Sequence, residues 1–270
     1  MATTERVDDK AGQGSVTTEA RDHVFLVGID RPWKRNALTP KILKELAAAY
    51  ARFDHDEDLR CALLFGHGAA FSAGFDLTLL KDASDGEALA YGRGEYDPFG
   101  LSGERLSKPL VVDVHGMCFA GGLEIALNGD VIVAAEGTLL GQPEVTRGLF
   151  AFGGGAIRWQ QRVGWGNAQR YLLTGDLLTA AEAHRIGLVQ EVVAPETLLE
   201  RGLAIATTIA RAAPLGVKHS LAVSRAAVDE GPAAAVGLMA ERRREVIQSD
   251  DAAEGVRSFL EKRHGAFVGR

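Results

Sequence analysis

The sequence predicts an α/β fold followed by a helical C-terminal region. Apolar runs at residues 23–29, 59–65 and 110–114 indicate strands, and the nearly continuous run at 59–65 is typical of a strand that is covered on both faces. Apolar residues at helical spacing separate the first two runs, and from Pro195 onward the pattern is helical almost throughout. Alternating strands and helices that end in a helical segment indicate an α/β core with additional helices.

The first elements have clear local signals. Residues 23–29 read as a strand, and Thr39 with Pro40 then supplies an N-cap followed by a proline in the first helical turn. Apolar residues at helical spacing predict a helix over residues 40–54, and the run at 59–65 predicts the second strand.

The remaining elements follow in order. Residues 110–114 predict a third strand, and a glycine-rich turn, a short helix and a strand at 131–134 come next. Residues 81–108 are rich in glycine and acids, and they read either as a lid or as a solvated surface excursion. The C-terminal helices are marked by apolar residues at helical spacing: Leu198, Leu199, Leu203 and Ile209, then Val217, Leu221 and Val228, and finally Phe259.

These patterns divide the 270 residues into three parts. We expect a flexible N-terminal tail at residues 1–22, a core at 23–200 and a C-terminal helical region at 201–270. The tail is polar and has no apolar segment of a secretory signal, and no apolar stretch approaches the roughly 20 residues of a membrane span. Cys61 and Cys118 lie in apolar runs, as expected for buried thiols in a reducing compartment. We therefore expect a cytoplasmic protein.

The net charge of -6 argues against several partners. Nucleic acids and anionic membranes need a cationic surface, which an acidic protein does not offer. A small anionic ligand stays possible, because a few local Lys or Arg side chains are enough to bind it.

Other chemistries lack their sequence signals. The glycine clusters do not form a phosphate-binding loop that ends in Gly-Lys-Ser/Thr, nor a dinucleotide fingerprint. The seven histidines have no metal-ligand spacing, so we expect no metal site. Cys118 has no evident histidine partner in the sequence and is interpreted as a small buried apolar residue rather than a nucleophile.

Residues 70–76 follow a buried strand directly and consist mostly of small residues. Small residues allow a sharp turn that leaves backbone N–H groups unpaired. An ordinary tight turn has the same composition, so this segment alone decides nothing.

Residues 114–127 contain glycines immediately before an apolar helical run. The free N–H groups and positive end of such a helix suit a developing oxyanion. Glu124 lies among apolar residues, where a buried carboxylate has to be neutralised, paired or functional. The alternative is a glycine pair that serves helix packing, beside a glutamate that faces solvent.

Residues 139–145 supply a second acid, Glu144, in an apolar neighbourhood. Pro143 fixes the backbone just before it, which helps to aim the side chain. Together with the two preceding segments, this second acid suggests a catalytic arrangement. Two N–H donors polarise a thioester carbonyl, and two carboxylates handle protons on the adjacent carbons.

Taken in order, these segments resemble the crotonase (enoyl-CoA hydratase/isomerase) superfamily over most of the chain. The other stretches that carry the resemblance are residues 31–38, 173–189 and 251–263. The resemblance implies a spiral of repeated ββα units, C-terminal helices used in trimerisation, and trimers that often pair as hexamers. It implies an acyl-CoA substrate and no separate cofactor, because coenzyme A is part of the substrate.

The resemblance also assigns roles to residues of this chain. The oxyanion donors would be the backbone N–H groups of Phe75 and Gly121. Glu124 and Glu144 stand where family hydratases carry their two acids, and together they favour hydration of an enoyl-CoA or its reverse. Contacts with the CoA moiety are expected from the following residues: Lys34, Arg35, Ala37, Ala73, Asp76 and Lys262, the last possibly across a subunit boundary.

The sequence departs from the hydratase pattern at several positions. Ala151 and Phe152 replace a Pro-Gly pair, Phe75 is bulkier than usual, and Arg147 follows where aliphatic residues are common. Arg147 reads as an ion-pair partner of an acid, a contact for a polar acyl group, or a surface residue. These departures leave other crotonase reactions open: double-bond isomerisation, thioester hydrolysis and dehalogenation. A non-catalytic acyl-CoA-binding protein is the farther alternative. The acidic net charge disfavours RNA binding. The presence of both acids argues against a catalytically inactive protein.

Overall fold

In the computed structural model, two β-sheets and nine helices are described over residues 12–80 and 94–270. Residues 81–108, for which the sequence left a lid and a solvated surface excursion open, therefore lie partly outside the described residues. The strands are β1 (Ser15–Arg21), β2 (Val24–Asp30), β3 (Cys61–Gly66), β4 (Leu110–Val114), β5 (Met117–Phe119), β6 (Val131–Ala135), β7 (Leu139–Gly141), β8 (Leu178–Thr179) and β9 (Glu191–Val193). Six strands form one sheet in the order β1-β2-β3-β4-β6-β9, and β5, β7 and β8 form the second.

The helices are α1 (Pro40–His55), α2 (Leu77–Leu80), α3 (Gly121–Leu127), α4 (Gly155–Leu172), α5 (Ala180–Arg185), α6 (Leu198–Arg211), α7 (Pro214–Asp229), α8 (Pro232–Ile247) and α9 (Asp250–Leu260). Within the described ranges, no helix has both the length and the apolar character that crossing a bilayer requires.

The chain winds as a spiral of ββα units, which confirms the predicted fold. In one turn the chain passes from β4 in the large sheet to β5 in the small sheet and then into α3. The next turn repeats this path through β6, β7 and α4. Residues outside the named strands extend the small sheet, because Ser72 forms a parallel bridge with Cys118 and Leu38 forms one with Phe75. The connections that follow the small-sheet strands are thus stacked beside one another.

The sequence signals for the first strands and helix are confirmed. Thr39 caps α1 as expected, and its hydroxyl accepts a hydrogen bond from the N–H of Ile42 at 3.1 Å. Leu43, Leu46 and Phe53 on the inner face of this helix are buried in the main core. The wholly buried run in β4 reflects a strand covered on both faces, by this core and by α6.

The predicted N-terminal tail ends earlier than residue 22. Strand β1 pairs antiparallel with β2 along its whole length, from Ser15 opposite Asp30 to Arg21 opposite Val24. Its sequence is polar because the strand lies at the edge of the sheet and is half exposed, so it has no apolar run. The predicted boundary between residues 200 and 201 falls inside α6, which packs against strands of the large sheet.

Asp113 is an unpaired acid inside the structure. It lies on β4, facing α6, and is 1% exposed. Neither carboxyl oxygen has a hydrogen-bond partner among the described residues, and Gly202 of α6 leaves the space that the carboxyl group occupies. Burial raises the pKa of Asp113 to about 8. The group is therefore mainly protonated in the folded protein at neutral pH.

We predict that Asp113 makes the folded state less stable as the pH rises from 4 to 8. In this window the unfolded chain ionises Asp113 while the folded protein keeps it protonated, so the free energy of unfolding falls by up to about 1.4 kcal/mol per pH unit. Asp113→Asn removes this dependence, and urea unfolding at several pH values measures the difference. The exposed Asp58→Asn serves as control. Parallel stability curves for wild type and Asp113→Asn would contradict the prediction.

Candidate active site

One cavity collects four of the ten site residues that the sequence singled out, among them both acids. It has a volume of about 190 Å³, and its wall contains Ala73, Phe75, Glu124 and Glu144. The other lining residues are Leu77, Ala120, Pro143, Arg147, Leu149 and Phe152. These residues follow three successive turns of the spiral, which explains why segments far apart in sequence meet here.

The backbone segments of Phe75 and Gly121 lie in contact. A Cβ atom placed on Gly74 would come within 3.5 Å of the Gly121 nitrogen, and one placed on Gly121 would lie 2.6 Å from the Phe75 ring. Glycine at both positions permits this close approach. Ala120, directly before Gly121, has a φ of 50°, an uncommon conformation for a residue with a side chain, and its N–H donates to Gly141 at 2.9 Å.

The N–H groups of Phe75 and Gly121 are free to act as donors. Leu38 forms hydrogen bonds with the two residues that flank Phe75. Its N–H donates to the Gly74 carbonyl, and its carbonyl accepts from the N–H of Asp76. Gly121 is the first residue of α3, where an N–H has no partner within the helix. No hydrogen bond between described residues uses either group. Two unpaired donors on adjacent segments suit a carbonyl oxygen that gains negative charge.

Glu124 is buried on the first turn of α3 and is 1% exposed. Its Oε1 accepts a hydrogen bond from the N–H of Gly155 at 2.9 Å, at the N-terminus of α4. A Cβ atom on Gly153 would lie 2.6 Å from Oε2, so this glycine leaves room for the carboxylate. Burial raises the pKa of Glu124 to about 7, against the lowering effect of the Gly155 hydrogen bond, and the charge of Glu144 raises it further.

Glu144 lies in the short 3-10 helix Pro143–Arg147 and is 9% exposed. Burial raises the pKa of its carboxyl group. The side chain of Gln142, with its amide nitrogen turned toward Glu144, donates to Oε1 and Oε2 at 2.7 and 3.1 Å. Gln142 is itself 1% exposed, so it fixes the direction of the acid. The two carboxyl groups thus face one cavity with pKa values raised toward neutrality, as general acid–base chemistry requires.

Aromatic rings form one side of the cavity. The Phe75 ring stacks on Phe152, with centroids 5.8 Å apart and planes 20° from parallel, and lies 5.6 Å from the buried Phe99 ring. Arg147 is exposed at the cavity wall, and no ion pair within the described residues involves it. Of the three interpretations of Arg147, an ion pair with an acid is therefore not observed.

The residues expected to contact CoA lie farther apart than the residues of the cavity wall. Lys34 and Arg35 lie on an exposed turn, and the Arg35 carbonyl accepts from the N–H of Ala73 at 2.9 Å, which places this turn beside the cavity wall. Ala37 is half buried, and its carbonyl accepts from Arg31.

Of the six residues expected to contact CoA, only Ala73 lines the cavity. The Asp76 carboxylate is held by the Thr78 hydroxyl at 2.6 Å and by Arg31 at 2.7 Å, and both hydrogen bonds lower its pKa. The Asp76 carboxylate therefore stabilises the backbone segment that follows Phe75. Lys262 is exposed just beyond the end of α9 and is absent from the cavity wall.

Sequence reasoning assigned no role to the glycine run at residues 153–155 or to Gln142. The run lies about thirty positions after Glu124, and only the start of α4 brings the two together. The available signal was three glycines before a helix, since a glycine-flanked helix N-terminus is a site for an anion.

Comparison with known proteins shows the family of the chain. The family model described as enoyl-CoA hydratase/isomerase matches residues 19–270. The chain is 36% identical to enoyl-CoA hydratase EchA19 of Mycobacterium tuberculosis, across 93% of this chain and 96% of that protein. It is 32% identical to a crotonyl-CoA hydratase of Syntrophomonas wolfei, across 95% and 98%. A solved structure of a probable enoyl-CoA hydratase/isomerase from Mycobacterium abscessus is 44% identical, with a TM-score of 0.90 across 94% and 98%.

The chain therefore belongs to the enoyl-CoA hydratase/isomerase family of the crotonase superfamily. This confirms the resemblance found in the sequence motifs.

We predict that Gly153→Ala and Gly166→Ala have opposite effects on stability. The new methyl group at 153 collides with the Glu124 carboxylate, which should lower the free energy of unfolding by about 1–3 kcal/mol. Gly166 lies in α4 with open space around it, so alanine there should raise the free energy by about 0.5–1 kcal/mol. Chemical denaturation of both variants measures the effects. Wild-type stability in Gly153→Ala would show that the run does not confine the carboxylate.

Proposed function

We propose that this protein is an enoyl-CoA hydratase, which adds water across the 2,3 double bond of an enoyl-CoA. The observation that carries the proposal is the pair of buried acids, Glu124 and Glu144, on the wall of one cavity that also adjoins two unpaired N–H groups. Hydration needs these parts together: donors for the thioester oxygen, a base for the water and an acid for the α-carbon.

In the proposed reaction the thioester oxygen accepts hydrogen bonds from the N–H groups of Phe75 and Gly121. Ionised Glu124 takes a proton from a water molecule as the water oxygen bonds to C3. The electrons of the double bond shift to give an enolate, and protonated Glu144 delivers its proton to C2. The product is a 3-hydroxyacyl-CoA, and transfer of one proton between the two carboxyl groups restores the starting state.

The raised pKa values of both carboxyl groups support a pair that keeps one proton near neutral pH. The dyad has to carry one proton in total at the start of each cycle, one acid neutral and the other ionised. Burial and mutual repulsion make loss of the second proton unfavourable near neutral pH, so a singly protonated pair is the expected state. Lys34 and Arg35, on the turn beside Ala73, are proposed to contact the phosphate groups of CoA.

The rings of Phe75 and Phe152 give the site a flat wall. We propose that this wall contacts the acyl group and that a planar, conjugated acyl group gains most from stacking on it. Phe152 is 37% exposed, which leaves part of its ring available to a ligand.

We predict that Glu144→Gln remains folded but hydrates enoyl-CoA about 10²–10⁴-fold more slowly, because the amide cannot deliver the proton to C2. Loss of absorbance by the conjugated thioester, with product mass, measures the rate. Glu136→Gln, on the exposed loop after β6, is the matched control. Near-normal turnover by Glu144→Gln would refute the role of Glu144. A product without added water would point instead to isomerisation or thioester hydrolysis.

A further prediction concerns the acyl group of the substrate. Phe152→Leu should lower kcat/KM for an aryl-substituted enoyl-CoA about 2–10-fold relative to crotonyl-CoA, since an aromatic pair contributes roughly 0.5–1.5 kcal/mol. Phe150→Leu is the control, because Phe150 touches Phe152 but does not line the cavity. An equal loss for both substrates would mean that the ring supports the fold rather than selecting the acyl group.

A further inference from the structure

The glycine run at residues 153–155 separates two buried side chains of opposite charge. On one side, Cβ atoms placed on Gly153 and Gly155 would lie 2.6 and 3.1 Å from the carboxylate oxygens of Glu124. On the other side, a Cβ atom placed on Gly154 would collide with the guanidinium group of Arg158. The backbone of three glycines is therefore the whole thickness of the wall between the acid and the cation.

Arg158 lies one helical turn after Gly155 in α4 and is 7% exposed. Its Nη2 donates to the Gly100 carbonyl at 3.2 Å, while Nη1 has no hydrogen-bond partner among the described residues. No carboxylate in that part of the chain lies within ion-pair distance of this guanidinium group. Arg158 is thus a buried cation that no direct partner neutralises.

The guanidinium group stays charged at neutral pH although its surroundings oppose the charge. Burial is the main cause that lowers the pKa of Arg158, to about 10, and the positive charges of Arg105 and Arg162 lower it further. Asp97 and Glu124 provide the attraction that opposes them. The Asp97 carboxylate is already engaged, since it accepts hydrogen bonds from the N–H groups of Phe99 and Leu101. Asp97 provides the stronger of the two attractions, and Glu124 is the one of the two acids that lines the cavity.

We propose that Arg158 is a positioning residue that acts through the glycine run and holds Glu124 in its ionised form. Glu124 has to be ionised to take a proton from water, and its burial opposes this ionisation. The N–H groups of Gly155 and Gly153 act in the opposite direction, and the charge of Arg158 adds a smaller contribution of the same sign. A cation placed behind the glycines favours the carboxylate without forming a direct ion pair, so the carboxylate keeps an oxygen for water.

Glycine at 153–155 is necessary for this arrangement. A side chain at any of the three positions would occupy the space of the carboxylate or of the guanidinium group. Gly154 also has a φ of 101°, which residues with side chains rarely adopt. The departure from the usual hydratase pattern just before this run leaves the run itself intact.

The test compares neutral and charged replacements of Arg158 by pH–rate profiles of kcat/KM with crotonyl-CoA. In Arg158→Gln, which removes the charge and keeps a polar side chain, the acidic limb should move up by about one pH unit. This corresponds to a roughly tenfold loss of rate on that limb, and the loss should shrink as the pH rises. Arg158→Met is the second neutral variant and should give the same shift. Arg158→Lys keeps the charge and should restore the limb toward its wild-type position.

Arg162→Gln is the matched control. Arg162 is a neighbouring cation on α4 that donates to the carbonyls of Leu127 and Gly129, and it does not contact the glycine run. A shift in this variant equal to that of Arg158→Gln would show a general effect of removing a cation. An acidic limb that stays in place in both neutral variants of Arg158 would overturn the proposal.

A second readout separates this inference from the proposed function on which its kinetic test rests. The carboxyl carbon of Glu124, labelled with ¹³C and assigned with Glu124→Gln, can be titrated by NMR without any substrate. The proposal expects a higher titration midpoint in Arg158→Gln than in wild type and in Arg158→Lys. If no enoyl-CoA is hydrated, the proposed function fails, yet the titration still decides the link between Arg158 and Glu124. Equal midpoints in all three proteins would refute that link.

Discussion

The hydrogen bond from the Gly155 N–H to the buried carboxylate of Glu124 is the constraint around which the site is arranged. An unpaired carboxylate in a protein interior is costly, and the N-terminus of α4 supplies the compensating donor. That donor has to come close, which requires glycines at 153–155 and fixes where α4 begins. The compensation is incomplete, since the pKa of Glu124 remains near 7. This intermediate state is useful, because a group that both accepts and releases protons near neutral pH needs a pKa in that range.

The spiral explains why a few side chains are enough to form the candidate site. Each turn ends at the same edge of the small sheet, so the connections that follow successive strands are stacked. Phe75, Gly121 and Glu144 belong to three consecutive turns and reach one cavity without any long loop of their own. The proposed oxyanion donors are backbone groups, and their placement depends on the close approach at Gly74 and Gly121 rather than on any side chain. Side-chain variation around them, as at Phe75 and Phe152, can then change the shape of the cavity while these N–H groups stay in place.

Local signals in the sequence were sufficient for part of this description. Apolar runs and the Thr39 cap located the first strands and helix, and the two acids were recognisable as charges among apolar neighbours. Contacts between distant segments were not predictable in this way. The role of Gly155 depends on where α4 packs. In the sequence Asp113 is only one polar position in a strand, and its burial follows from the packing of Gly202 against it. Strand β1 was missed because an edge strand needs no apolar run. The exposed charges of Lys34 and Arg35 have no local signal that separates a phosphate contact from ordinary surface charge.

The most direct test of the central claim is the fate of the water oxygen. Enoyl-CoA incubated with the protein in H₂¹⁸O should give a 3-hydroxyacyl-CoA that carries one ¹⁸O atom at C3, and Glu124→Gln and Glu144→Gln should each suppress the labelled product. Label found instead in a free carboxylic acid would mean that the thioester is hydrolysed, and an unlabelled product of unchanged mass would mean that the double bond is moved. Either result would contradict the account in which the two acids act on a water molecule beside the oxyanion donors.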